Sequence, residues 1–156
     1  MSHCIQAIIT SSSVADQTCL QYPQLAYFST PQQFAILPMT AEFIDRELEP
    51  SPGPGSDGFI LLTASFTAFL LDLSVLGTLA YIETDYFGGT GSQGAAVYSN
   101  GKPLMQSEGS ELADPINKAL ELIGVRSEGS DRFDALGLGN FRSNDAIFEA
   151  IAQAKK

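Results

Sequence analysis

Apolar residues change their spacing several times along the chain, and each change marks an element. Cys4 to Thr10 (CIQAIIT) is short, apolar and β-branched near its end, the pattern of a central strand. Ser11 to Gln21 reads as a connector carrying a short helix. Leu25 to Ser29 and Gln33 to Met39 are further strand candidates around Pro31, with Pro38 confined to a strand end or an edge. A helix follows, with Thr40 as N-cap, Met39 and Ile44 as a hydrophobic staple, Phe43, Ile44 and Leu48 on one face, and a stop before Pro50.

From Thr63 the set Phe66, Phe69, Leu70, Leu73 and Leu76 keeps helical spacing, with Thr63 as cap and Gly77 suited to the C′ position. Thr78 to Phe87 and Ala95 to Tyr98 are rich in β-formers, and Asn100-Gly101 is a strong hairpin signal, so three antiparallel strands are expected in a row. Asp114 caps and Pro115 opens a helix through Ile116, Ala119, Leu120 and Ile123, stopped by Gly124. A last helix from about Asn144 turns Ile147, Phe148 and Ile151 inward. Strands and helices interspersed without regular βα alternation define an α+β domain: a mainly antiparallel sheet with helices packed on one face.

Ser51 to Gly58 (SPGPGSDG) sustains neither helix nor strand and reads as an exposed loop inside a single domain of residues 1–156. A linker there would leave a first half of only about fifty residues, marginal as an independent core. The most apolar segment, Phe59 to Leu76, is interrupted by Thr63, Ser65, Thr67, Asp72 and Ser74, so no membrane span is expected. The first ten residues lack a cationic region before their apolar run, which makes a cytoplasmic location the expectation. Cys4 and Cys19 are too few for a disulfide framework and read as buried free thiols.

Eight basic residues against 18 acidic ones give a net charge of −10. That disfavours nucleic acid and anionic membranes and makes a basic protein the expected partner, while also being an ordinary means of staying in solution.

Gly89, Gly91 and Gly94 spell G-x-G-x-x-G within YIETDYFGGTGSQGAAVY (Tyr81 to Tyr98). A dinucleotide fingerprint must open a helix, whose free N–H groups hold the pyrophosphate. Here the motif opens a strand, so no nucleotide cofactor is expected. Thr90 occupies the first glycine of a would-be nucleophile elbow, and the single histidine, His3, has nothing to orient it for covalent catalysis. No metal-ligand spacing is present. Gly88, Gly89 and Gly91 are expected to permit positive φ in a wide hairpin loop or bulge.

The residues with chemistry to offer gather in two stretches. In the first, Glu83 and Asp85 share a strand face, solvated unless they act as an acid–base or cation-holding pair, and Tyr86, Phe87, Gly89, Gly91 and Gln93 give a loop with apolar and hydrogen-bonding groups. In the second, Asp131 to Asp145, Asp134 and Arg142 accompany Gly137 and Gly139, and Ser143 or Asn144 is placed to cap the last helix. Opposite charges at the mouths of both stretches predict Arg142 within reach of Glu83, Asp85 or the backbone of residues 86–93.

Tyr81-x-Glu83-x-x-Tyr86-Phe-Gly-Gly-x-Gly91-x-Gln93, Ile116-Asn-x-Ala-Leu-x-Leu-Ile-Gly124 and Phe133-Asp-x-x-Gly137-Leu-Gly-x-x-Arg142-x-Asn144 together resemble a set of small uncharacterised bacterial proteins, over roughly residues 34–148. The resemblance implies a bacterial, cytoplasmic origin and transfers no catalytic residues. Small size, a net charge of −10 and the lack of a catalytic cluster make the expectation a non-enzymatic protein-binding or inhibitory module of the immunity-protein kind. The alternative is a small-molecule binder or hydrolase using the Glu83, Asp85 and Arg142 region.

Overall fold

The computed structural model describes residues 2–48, 61–87, 90–106, 115–126, 141 and 143–154. The Pro/Gly loop at 51–58 lies outside them. Strand β1 (Ser2–Ser11) leads through helix α1 (Ser12–Gln21) to the short β2 (Phe28–Ser29), a 3₁₀ turn (Pro31–Gln33) and β3 (Phe34–Pro38). Helices α2 (Ala41–Glu47) and α3 (Ala64–Leu73) precede β4 (Leu79–Phe87), β5 (Thr90–Ser99) and β6 (Lys102–Gln106), and α4 (Pro115–Leu122) and α5 (Asn144–Ala154) follow. The six strands form one antiparallel sheet in the order β2-β3-β1-β4-β5-β6. This is a single α+β domain, with β1 central as its apolar run requires.

The helices cover both faces of the sheet, which corrects the expectation of one. Ile8, Leu37, Tyr81 and Tyr98 point toward Phe43 of α2 and Phe66, Phe69 and Leu70 of α3. Their strand neighbours Ile9, Ile36, Ile82 and Val97 point the other way, toward Ile116 and Leu120 of α4 and Ile147 and Ile151 of α5. A strand solvated on one face alternates apolar with polar residues, whereas these strands are apolar in consecutive positions and need cover twice. Phe148, expected inward, is 38 % exposed; Ile147 and Ile151 are the buried residues of α5.

Local signals hold at most boundaries. The hydroxyls of Thr40 and Thr63 accept from the backbone N–H of Phe43 and Phe66, closing the first turns of α2 and α3. Asn100 and Gly101 both take positive φ, 54° and 77°, as a two-residue hairpin turn demands. Gly124, at φ 99°, ends α4: its N–H donates to Glu121 O and that of Val125 to Leu120 O, the pair of bonds that defines a Schellman stop.

Gly77 has a different task from the one its sequence position suggests. Helix α3 ends at Leu73 with Ser74 as C-cap. A Cβ on Gly77 would stand 2.6 Å from Cγ2 of Val14, so its missing side chain admits α1 against the chain entering β4. The strands β4 and β5 also pair without interruption to Phe87↔Thr90, which puts Gly91 inside the ladder opposite Tyr86 and away from any wide loop. Gly88 and Gly89 lie outside the described residues.

Candidate functional site

Alternation along β4 sends Tyr81, Glu83 and Asp85 to the face that carries α2 and α3. Glu83 is only 2 % exposed. Its Oε2 accepts from the Tyr81 hydroxyl at 2.8 Å and from the backbone N–H of Leu61 at 2.9 Å. A buried carboxylate needs such donors to offset desolvation. The solvated face expected for this pair therefore describes Asp85, which is exposed, but not Glu83. Burial raises the Tyr81 phenol well above its ordinary value of 10.0, and the neighbouring Glu83 charge and the hydrogen bond to it push the same way. Chemically, Glu83 fastens the segment entering α3 to the sheet.

Gln93, on β5, faces the opposite side. Its side-chain oxygen accepts from Ile116 N–H at 3.3 Å, the first N–H of α4 after Pro115, which has none. Asn144 sits at a third place. Its Oδ1 accepts from Gln6 N–H at 2.9 Å and its Nδ2 donates to Met39 O at 2.7 Å. β3 stops pairing with β1 at Ala7↔Pro38; beyond it Gln6 O still accepts from Met39 N–H at 2.8 Å, and the Asn144 amide stands in for the return bond from Gln6 N–H to Met39 O. Ser143 continues the edge through a parallel bridge to Cys4, while its hydroxyl accepts from Ala146 N–H as the cap of α5. Of the two candidate caps, Ser143 takes that role.

Glu83, Gln93 and Asn144 are thus placed on one face, the other face and an edge of the sheet. Tyr86, Phe87 and Gly91 contribute backbone to the far end of the β4–β5 ladder. Gly89, Asp134 and Arg142 lie outside the described residues, and with them the junction expected between Arg142 and Glu83. Cys4 and Cys19 are not joined in a disulfide and are half-buried rather than buried. Among the described residues no three His, Cys, Asp or Glu side chains gather as metal ligands, and no helix is long and apolar enough to cross a membrane.

Sequence spacing gave no sign of an apolar corner at the other end of the sheet. The Ser74 carbonyl and hydroxyl accept from the backbone N–H groups of Asn100 and Gly101, which locks the end of α3 onto the β5–β6 hairpin. The next two residues, Val75 and Leu76, are 65 % and 40 % exposed. On edge strand β6 the register shifts between Val97 and Tyr98, so that Pro103 stands opposite Tyr98 and Leu104 is the extra residue of a bulge. Leu104 is 56 % exposed. Leu76 is predicted at a core position by helical spacing; it comes out because α3 has already ended.

No family model, curated protein or solved structure matches the chain.

Proposed function

We propose that this chain is a non-enzymatic protein-binding module of the bacterial cytoplasm, which inhibits or shields a basic partner by docking it against the apolar corner of Val75, Leu76, Pro103 and Leu104. The observation that carries this reading is the exposure of these residues around one rigid junction, where the Ser74 bonds to Asn100 and Gly101 fix helix end and hairpin together. Exposed apolar groups held in place lose little freedom on binding. The chain's net charge of −10 favours a basic partner and speeds its approach at low salt.

The test is comparative capture from a bacterial lysate by immobilised wild-type, Val75→Asp and Leu104→Asp chains, each with its unfolding midpoint measured. The expected result is a basic protein held by the wild type, released as salt rises, and lost from both variants at unchanged stability. Capture indifferent to both substitutions would overturn the assignment.

A further inference from the structure

At the opposite edge of the sheet, the loop joining β2 to β3 is held in an unusual conformation. Gln32 and Gln33 are both left-handed, with φ of 66° and 65°, a region that residues carrying a Cβ seldom occupy, least of all in succession. The loop is closed by Thr30 N–H donating to Phe34 O at 2.8 Å. It is also pinned from outside. The Gln32 side-chain amide donates to Arg126 O at 2.8 Å and accepts from Arg126 N–H at 2.7 Å, so one primary amide pairs with the N–H and C=O of one residue as a neighbouring strand would.

The far half of that pair is set by α4. The Schellman stop at Gly124 turns the chain, Val125 is buried beneath it, and Arg126 is presented outward beside Gln32. Between these elements lies an open cavity of about 370 Å³ lined by Gln32, Gln33, Phe34, Gly124 and Arg126. Its volume falls within the span of small-molecule sites. Arg126 is exposed, and among the described residues its guanidinium meets no carboxylate.

We infer that this cavity is a binding site for a small planar carboxylate, with Arg126 pairing to the carboxylate, Phe34 supplying an apolar wall and the Gln33 amide a hydrogen bond. Guanidinium and carboxylate match in shape as well as charge, and a guanidinium that meets no carboxylate among the described residues, beside an open cavity, favours an anion there. The doubled left-handed backbone fits this role, because strain of that kind is maintained where a local geometry has to be held ready. The site is independent of the apolar corner, which lies on the β6 edge, so either assignment stands or falls without the other.

Benzoate and benzamide, similar in size and differing in charge, are the probes. Each is titrated into the ¹⁵N-labelled full chain while the backbone amides of Gln33, Gly124 and Arg126 are followed. Benzoate is expected to move all three in a saturable way, benzamide to bind at least about tenfold more weakly, and Arg126→Gln to weaken benzoate by about the same factor. Arg126→Gln changes an exposed side chain and leaves the backbone pair with Gln32 intact, so loss of fold does not confuse the result. Absence of saturable shifts up to about 10 mM benzoate, equal binding of benzamide, or benzoate binding untouched in Arg126→Gln would each overturn the inference.

Discussion

The Tyr81 hydroxyl donates to the Glu83 carboxylate at 2.8 Å, two residues along the same strand, with both side chains withdrawn from water. The same oxygen receives Leu61 N–H, so one acceptor ties a strand to the segment that starts α3. Replacing Glu83 by alanine leaves the buried Tyr81 hydroxyl and the half-buried Leu61 N–H without this acceptor and is expected to destabilise the fold by about 3 kcal/mol. Tyr81→Phe removes one donor and leaves the other, with an expected loss of about 1.5 kcal/mol. Urea unfolding of the two variants measures the difference, and equal losses would contradict this picture of the bond.

The same pair sets a dependence on pH. Tyr81 ionises well above 10.0 in the fold, first because of burial and then because of Glu83. Once pH passes the unfolded phenol value of about 10, the unfolded chain releases a proton that the folded chain still holds, so stability falls as pH rises. Below that pH the group contributes no slope. Tyr81→Phe is expected to make the decline in unfolding free energy between pH 10 and 11.5 shallower, by up to about 1.4 kcal/mol for each unit. Tyr98, also raised by burial, keeps part of the slope.

Gly77→Ala should be destabilising because of Val14 and not because of φ. The added Cβ would meet a stiff β-branched side chain at 2.6 Å, for which a loss of about 1–3 kcal/mol is expected. Val14→Ala in the same chain removes the obstructing methyl group. In a double-mutant cycle the second substitution should therefore be less harmful in the presence of the first, and strict additivity of the two free energies would disprove the contact as the cause.

Asn144 bonds to Gln6, 138 residues before it, and to Met39, 105 residues before it. Asn144→Asp keeps an acceptor for Gln6 N–H and loses the donor to Met39 O, while Asn144→Ala loses both. Expected losses are about 1 kcal/mol for the aspartate and about 2–3 kcal/mol for the alanine. Hydrogen exchange at Gln6 is the discriminating measurement: fast in the alanine variant, still protected in the aspartate one.

The sequence announced its local devices and concealed its distant ones. Thr40 and Thr63 cap, Asn100-Gly101 turns and Gly124 stops a helix because each acts on groups within a few residues, and spacing alone reports such neighbours. Cover on both faces was written in the consecutive apolar residues of Ile8-Ile9 and Ala95-Ala96-Val97, a pattern easily passed over when period-2 alternation is the signal sought. The burial of Glu83 was not written locally at all. It depends on Leu61 arriving from 22 residues away, just as the work of Asn144 depends on where β3 happens to leave β1.

The position of β1 at the middle of the sheet bears on how the molecule forms. Its backbone meets β4 at contacts such as Ile5 with Thr84, separated by 79 residues, whereas β4, β5 and β6 follow one another closely in sequence. Closing the longer loop sacrifices more chain entropy before any contact compensates for it. The β4–β6 meander with α3 is therefore the expected nucleus, and β1 is the strand that must wait, its apolar faces open to other chains in the interval. Substitutions at Ile5 or Ile9 should accelerate unfolding far more than they slow folding, so a central and fully buried strand would register as a late one in the kinetics.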